Sequence, residues 1–394
     1  MTETSTPDGR PAVRSTRPLR IAMVAPPWFE LPPRGYGGTE AVVAALVDQL
    51  VRDGHEVVLV GAGVHHTLAQ RFVRVLPTPP TALLGDPVPE VIVAAAAARA
   101  LDELDVDVVH DHTLAGPLLA RGRRVPTVAT THGPVTGLLA DYYSQLGESV
   151  RLVSISHAQR ASNPVLSWCG TVHNAVDVGS FAFRDSKDDY VLWIGRFNPD
   201  KGPHLAIDAA RAHGLRIVLA GKLNEAPERA FFDAAISPRL GPGVEYVGEA
   251  DAALKRELYA GARALLFPIQ WDEPFGMVMV EAMASGTPVL AIGRGAAPEV
   301  VEHGRSGLVV RDFDEFVAAV PRVLDLDPYP CREVASERFD LPVMAAGYAA
   351  VYRRLAEGQP GGLATPWHRR RPQVPRDGRD GPVHGVDAVR DAIA

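Results

Sequence analysis

The chain has 394 residues, 46% of them hydrophobic, and a formal net charge of −7. That length suits two domains, each large enough for its own core, and the mild acidity excludes the basic field of a nucleic-acid binder. No apolar run reaches bilayer length, and the two cysteines, Cys169 and Cys331, have neither metal-type nor disulfide-framework spacing, which fits a reducing cytoplasm.

Residues 1–18 are rich in Thr, Ser, Pro and Arg and lack the apolar core of a signal peptide, so they read as a disordered lead. Leu19 to Ala25 is a short apolar strand. The loop Gly35-Tyr36-Gly37-Gly38 follows, then a helix from Ala41 to Val51 capped by Thr39 or Gly38, then the strand Glu56 to Gly61. This order opens a doubly wound α/β domain. The gap from Ala25 to Gly37 is too wide for a dinucleotide fingerprint. The glycines serve either a tight turn or a close approach to phosphate.

An Ala-rich helix from Pro89 to Leu104 leads to the strand Val106 to Val109 and then to His110-Asp111-His112. Arg124 to Thr130 is a strand ending in Thr131-His132-Gly133-Pro134. Leu152 to Ser156 is another, and Thr171-Val172 runs into His173-Asn174-Ala175-Val176-Asp177. Each polar cluster follows the C-terminal end of a strand, the edge where open α/β sheets bind ligands. His110 and His112, in a loop, lack the helical spacing of a metal-ligand pair; capping of the next helix by Asp111 or Thr113 is the alternative reading. His132, alone at its strand end, is either functional or a satisfied buried histidine.

A second βα array begins near Phe181. Its strands are Tyr190 to Ile194, Arg216 to Ala220, Val244 to Val247, Ala264 to Pro268, Val289 to Ile292 and Leu308 to Val310. Helices are expected over Pro203 to His213 and Leu254 to Ala260, and an amphipathic one over Leu341 to Leu355. From Gly358 the chain is rich in Gly, Pro, Arg and Asp and reads as a disordered tail, residues 358–394. Its basic run, His368 to Arg371, offers a weak peripheral contact to anionic lipid, beside the plainer reading as solvated charge.

The stretch from Glu273 to Gly286 organises the second array. A helix beginning near Gly276 or Met277 and stopping at Gly286 is apolar nearly all round, interrupted by Glu281. A buried carboxylate needs a partner. The unpaired amides of Gly276, Met277 and Val278 lie between Glu273 and Glu281 and favour an anion. Arg196 and Lys201 flank a turn after a neighbouring strand; they are either ordinary loop charge or, with those amides, a clamp for a diphosphate. Two acids beside a phosphate grip describe a nucleotide-sugar site.

These segments carry a resemblance. GGTE at Gly37 to Glu40, THG at Thr131 to Gly133, NAVD at Asn174 to Asp177, GRFNPDKG at Gly195 to Gly202, EPFGMVMVEAMASGTPV at Glu273 to Val289 and PEVVEHGRSGLVV at Pro298 to Val310 are similar to those of family 4 retaining glycosyltransferases with the GT-B fold. The resemblance implies two Rossmann-like domains facing across a cleft, residues 19–177 on the acceptor side and 178–338 binding nucleotide-sugar. It also implies a helix, residues 339–357, crossing back to the first domain. Ala175 replaces a common glycine, which bears on the hinge.

Carried over, Arg196 and Lys201 bind the donor diphosphate and Glu281 the ribose. Glu273 contacts sugar hydroxyls, with the backbone of Phe275, Gly276, Met277 and Val278 around sugar and phosphate. His132 sits over the anomeric region, and Gly37 and Gly38 approach the phosphate. His132, Arg196, Lys201 and Glu273 form the implied catalytic set. The implied activity is retaining transfer of a hexosyl group from a UDP- or GDP-sugar to a hydroxyl acceptor, with no metal or other cofactor. A sugar phosphorylase or epimerase on the same fold, and a non-catalytic nucleotide-sugar-binding protein, are the alternatives. The acceptor region spans Trp28 to Tyr36 and Gly133 to Tyr143, where Trp28, Phe29, Tyr36, Tyr142 and Tyr143 either stack on a ring or pack locally.

Overall fold

A computed structural model describes residues 17–33, 35 and 37–358. The readings of residues 1–16 and 359–394, including the basic run His368 to Arg371, lie outside the described residues. The first half forms a seven-stranded parallel sheet in the order β3-β2-β1-β4-β5-β6-β7. Its strands are β1 (Arg20–Val24), β2 (Glu56–Ala62), β3 (Arg71–Leu76), β4 (Val108–Asp111), β5 (Thr127–Thr131), β6 (Arg151–Ser154) and β7 (Trp168–Thr171). The helices are α1 (Gly38–Arg52), α2 (Pro87–Asp102), α3 (Gly137–Gln145) and α4 (His157–Ser162). β1 pairs with β2 through Ile21 and Val57, and with β4 through Ile21 and Val108. The chain therefore reverses its direction of sheet growth at β1, and a crevice opens at that switch point.

The second half repeats the plan in a six-stranded sheet ordered β10-β9-β8-β11-β12-β13. These strands are β8 (Val191–Ile194), β9 (Ile217–Ala220), β10 (Val244–Tyr246), β11 (Leu265–Phe267), β12 (Val289–Ile292) and β13 (Gly307–Val310). Its helices are α5 (Pro203–Ala212), α6 (Ala226–Phe231), α7 (Ala252–Gly261), α8 (Met277–Ala284), α9 (Ala297–Val300), α10 (Phe313–Leu324) and α11 (Pro328–Arg338). Most strands are apolar on both faces because helices cover both. Leu192, Leu265 and Val289 face one core, and Val191, Leu266 and Leu290 the other.

The last helix, α12 (Leu341–Glu357), returns to the first sheet. Its Met344, Tyr348, Val351 and Tyr352 share a core with Val43 and Leu46 of α1. The Tyr348 hydroxyl lies 2.9 Å from Thr130 Oγ1, and that of Tyr352 2.6 Å from His110 Nδ1. No helix among the described residues is long and apolar enough to cross a membrane.

Three local expectations are corrected. α1 is capped by neither Thr39 nor Gly38: it begins at Gly38 with Gly37 before it at φ 137, a conformation open to glycine, and no side chain caps it. His110 and Asp111 lie inside β4 rather than in a loop, because β1 extends the pairing as far as Val24 and Asp111. Asp111 does not cap a helix; its Oδ1 accepts from the Thr113 amide at 2.9 Å and the Thr113 hydroxyl at 2.7 Å, closing a local turn. The strand β3 and the helices α3, α6, α9, α10 and α11 have no counterpart among the sequence-based elements. β3 is an edge strand with no buried residue, which leaves no clear alternation; α10 buries Phe316, Ala319, Val320 and Val323 at helical spacing, but the Pro321 inside it argues against a helix.

Candidate active site

The C-terminal ends of the two sheets border one cleft of about 410 Å3. Gly37, Gly38 and His132 line it from the first half. Arg196, Lys201, Glu273, Phe275, Gly276, Met277, Val278 and Glu281 line it from the second. Every residue assigned from the sequence to the catalytic set or the donor site thus reaches the same space.

Gly276 precedes α8 in the left-handed region at φ 85, and no side chain caps the first turn. The leading amides of α8 are therefore left for an anion, at the positive end of the helix dipole. The loop before it is pinned from β12: the Ala296 amide donates to the Glu273 carbonyl at 2.8 Å, and the Gly295 amide to Asp272 Oδ1 at 3.2 Å. Gly295, at φ 53, packs so closely on the Glu273 backbone that a Cβ would collide with it.

Lys201 Nζ donates to Glu273 Oε2, and both side chains are largely buried. Trp271 Nε1 donates to the same oxygen at 3.0 Å, and the lysine ammonium sits 5.0 Å from the Trp271 ring centroid. The cation and the acid expected to act separately are therefore coupled. The Lys201 turn is held by Asn198, whose Oδ1 accepts from the Lys201 amide at 3.0 Å, and by Trp193 Nε1, which donates to the Lys201 carbonyl at 3.1 Å.

Glu281 is 8% exposed and has the partners its burial demands: Lys255 Nζ donates to Oε1 at 2.7 Å and the Tyr259 hydroxyl to Oε2 at 2.7 Å. Burial, with the adjacent Glu281 charge, pushes the Tyr259 phenol pKa well up, so it remains a donor. Lys222 at the end of β9, Lys255, Trp271 and Asn174 also line the cleft and were not singled out from the sequence. The signal for Lys255 and Tyr259 is their i,i+4 spacing, which puts both on one face of α7.

His132 is not alone. Its Nε2 lies 2.9 Å from His112 Nδ1, and His112 Nε2 lies 3.1 Å from the Met23 sulfur. A thioether only accepts, so His112 donates through Nε2 and accepts through Nδ1. The network then assigns the Nε2–H tautomer to His132 and leaves its Nδ1 as an acceptor. Burial pushes the His132 pKa down to about 4 and those of His110 and His112 well down, keeping the rings neutral. Both nitrogens of His110 are engaged, with Thr130 and Tyr352, so the pair is not set up to hold a metal. Among the described residues the cluster with metal-ligand proximity is His157, His173 and Glu299, away from those two.

Of the aromatic residues near the acceptor side, Trp28 and Tyr143 line a smaller cavity beside His132. Tyr142 packs against Tyr143 and donates its hydroxyl to the Leu114 carbonyl. Tyr36 lies outside the described residues. Ala175 is buried, and no described non-glycine residue has positive φ, so alanine needs no unusual backbone at the hinge.

Residues 36–178 match the family described as Glycosyltransferase Family 4, and residues 181–338 that described as Glycosyl transferases group 1. A phosphatidyl-myo-inositol mannosyltransferase of Mycolicibacterium smegmatis is 29% identical over 379 residues, covering 86% of this chain and 94% of its own. A glycosyltransferase involved in avilamycin A biosynthesis superposes with a TM-score of 0.66 at 28% identity, over 87% of this chain and 99% of its own. HepE of Anabaena, solved with UDP and glucose, shares the fold at a TM-score of 0.66 and 18% identity, over 84% and 98% of the two chains. The two family matches together span more than half of the sequence, and with two doubly wound sheets across a cleft the chain belongs to the family 4 glycosyltransferases of GT-B fold.

Proposed function

We propose that this glycosyltransferase moves a hexosyl group from a UDP- or GDP-sugar to a hydroxyl acceptor with retention of anomeric configuration and without a metal. One observation carries the reading: Arg196, Lys201 and the uncapped start of α8 border the same cleft, with Glu273 and Glu281 beside them. A diphosphate there meets two side-chain cations and a helix N-terminus. Lys222 and Lys255 add positive charge to the same wall.

The chemistry follows from where charge develops. The bond between the anomeric carbon and the phosphate oxygen breaks, and the sugar becomes oxocarbenium-like. The negative charge gathering on the nucleoside diphosphate is stabilised by Arg196, Lys201 and the α8 amides, which are fixed in advance. The acceptor oxygen bonds to the anomeric carbon on the face the phosphate leaves, and its proton passes to the departing phosphate oxygen. Glu273 is held by Lys201 and Trp271, which suits hydroxyl recognition rather than nucleophilic attack. His132 Nδ1 accepts a hydrogen bond from a sugar hydroxyl. Glu281, fixed by Lys255 and Tyr259, keeps lone pairs for the ribose hydroxyls.

The mannosyltransferase relative and the UDP complex of HepE support a nucleotide-sugar donor. The free thiols Cys169 and Cys331 are in keeping with a cytoplasmic setting. The test is nucleotide release from UDP- and GDP-hexoses, with and without EDTA, and the anomeric configuration of the product by NMR. Release that needs added metal, or an inverted product, refutes the corresponding part.

A further inference from the structure

Beside the main cleft lies a side chamber of about 60 Å3, which shares Thr39, His132 and Gly133 with it. We propose that Glu40, Glu90 and Trp28 make this chamber an anchoring subsite for an uncharged hydroxyl group on a polyhydroxylated acceptor, while another hydroxyl of the same molecule receives the sugar in the cleft. The inference rests on the transfer reading above.

Glu40 is 3% exposed and lines the chamber, and its Oε1 has no hydrogen-bond partner. Trp28 is 1% exposed and lines it too; its Nε1 has no partner in hydrogen-bond geometry, though it lies close enough to Glu90 to lower that carboxyl slightly. Buried polar groups are normally satisfied, and each exception calls for a reason. Glu40 Oε1 is open to a donor, and the Trp28 N–H, with only the Glu90 carboxyl near it and not in good geometry, is open to an acceptor. A hydroxyl supplies both, whereas an ammonium supplies donors alone and a phosphate acceptors alone.

Charge points the same way. The cations of the cleft, Arg196, Lys201, Lys222 and Lys255, all stand on the second sheet's side, and the described lining of the chamber contains none. Burial raises the Glu40 carboxyl to about 7, against the pull of its own backbone amide, and holds Glu90 above its ordinary value. With no cation in that lining to offset it, a charged phosphate gains nothing there over a neutral hydroxyl. The size also fits: one water needs about 10–15 Å3 of such space, so the chamber admits a hydroxyl or hydroxymethyl group and leaves the ring in the cleft.

The test uses the full chain and the hexose donor it turns over, with glucose, myo-inositol, glucosamine, glucose 6-phosphate and cyclohexanol as acceptor probes. Glucose or myo-inositol should stimulate nucleotide release. Cyclohexanol, which has no second hydroxyl, and glucose 6-phosphate should show KM values at least tenfold higher. Glu40→Leu should raise the polyol KM at least tenfold with kcat within threefold, and Glu40→Gln, which keeps an acceptor oxygen, should recover most of the loss. Trp28→Phe should raise KM several-fold.

A polyol KM unmoved in Glu40→Leu overturns the subsite. So does equal use of cyclohexanol, a preference for the phosphate, or no response to any polyol, which would leave the chamber a place for water. Calorimetry with UDP and GDP reads the donor site separately. Nucleotide binding without a polyol response overturns the chamber alone, and absence of nucleotide binding overturns the transfer reading with it.

Discussion

Replacing Glu40 by Gln should stabilise the protein in mild alkali and leave it nearly unchanged in mild acid. The Glu40 carboxyl is raised from 4.5 to about 7, chiefly by burial. Each pKa unit is worth about 1.4 kcal/mol of difference between protonation states. An acid whose folded pKa is raised binds its proton more tightly when folded, so its contribution is full below the unfolded value. That contribution is lost as pH climbs toward the folded one. The whole loss is on the order of 3 kcal/mol, of which roughly 2–3 kcal/mol falls between pH 5 and pH 8.5. Gln has the same shape and no charge to desolvate, and titrations common to both proteins cancel. At about 2–4 °C per kcal/mol for a unit of this size, Glu40→Gln should gain about 5–10 °C of Tm relative to wild type between those two pH values. Parallel thermal scans across that range are the assay. An unchanging Tm difference would mean that Glu40 is either not desolvated or has a hidden partner, and the argument for the side chamber would lose its main support.

Arg196→Ala should lower kcat about 10²–10³-fold, the usual cost of removing one preorganised charge stabiliser, as read by nucleotide release. Lys201→Met should act similarly and also lose about 1–3 kcal/mol of stability by leaving the largely buried Glu273 without its cation; adding Glu273→Gln should restore stability but not turnover. Tyr259→Phe removes one bond to Glu281 and should cost about 1.5–3 kcal/mol in urea unfolding and weaken nucleotide binding by calorimetry. Glu299 joins the two halves, accepting from the His157 and Ala158 amides and lying 2.5 Å from His173 Nε2. Burial raises its pKa, but His173 and the two amides outweigh that and hold it below 4.5. Its stabilisation is therefore present above pH 4.5 and lost as pH falls through the folded value, so the deficit of Glu299→Gln should be full at pH 7 and shrink below about pH 4 in thermal scans.

The sheets were legible because their strands are short apolar runs closed by glycine or polar clusters, a pattern that needs no knowledge of partners. The donor wall was legible for a similar reason. Glu281 interrupts an otherwise apolar helix, and a charge in such a place is either paired or functional. The partners themselves were not legible. Lys255 and Tyr259 lie on α7, two elements earlier in the chain, and an i,i+4 pair on a helix is ordinary until the helix is seen to face Glu281. Lys201 and Glu273 were each visible, but their pairing depends on the β8 and β11 loops meeting, which is a tertiary fact. On the first sheet, the shift of β4 to Val108–Asp111 carried His110 into the core against α12, a helix more than 200 residues away. The His132–His112 contact spans only 20 residues, but it depends on β4 and β5 lying side by side in the sheet. Glu40 fell just ahead of the helix expected from Ala41; the structure puts it in the first turn, and only burial distinguishes it from an ordinary acid there.

The hinge region shows why the two halves can act as one site. Val176 donates its amide to the Phe339 carbonyl at 3.0 Å, so the outgoing chain and the returning chain are tied side by side where they cross. His173 stands at that crossing, with its ring 5.5 Å from Phe339 and 5.9 Å from Phe275. Phe275 belongs to the donor loop that leads into α8, and Glu299, which grips His173, lies one strand further along the second sheet. A rotation of the halves about this point must slide His173 across Phe275 or break its bond to Glu299. Packed rings and a short hydrogen-bonded contact do not deform continuously. Any change in the angle between the halves would therefore be felt at the α8 entrance, where the diphosphate is proposed to bind.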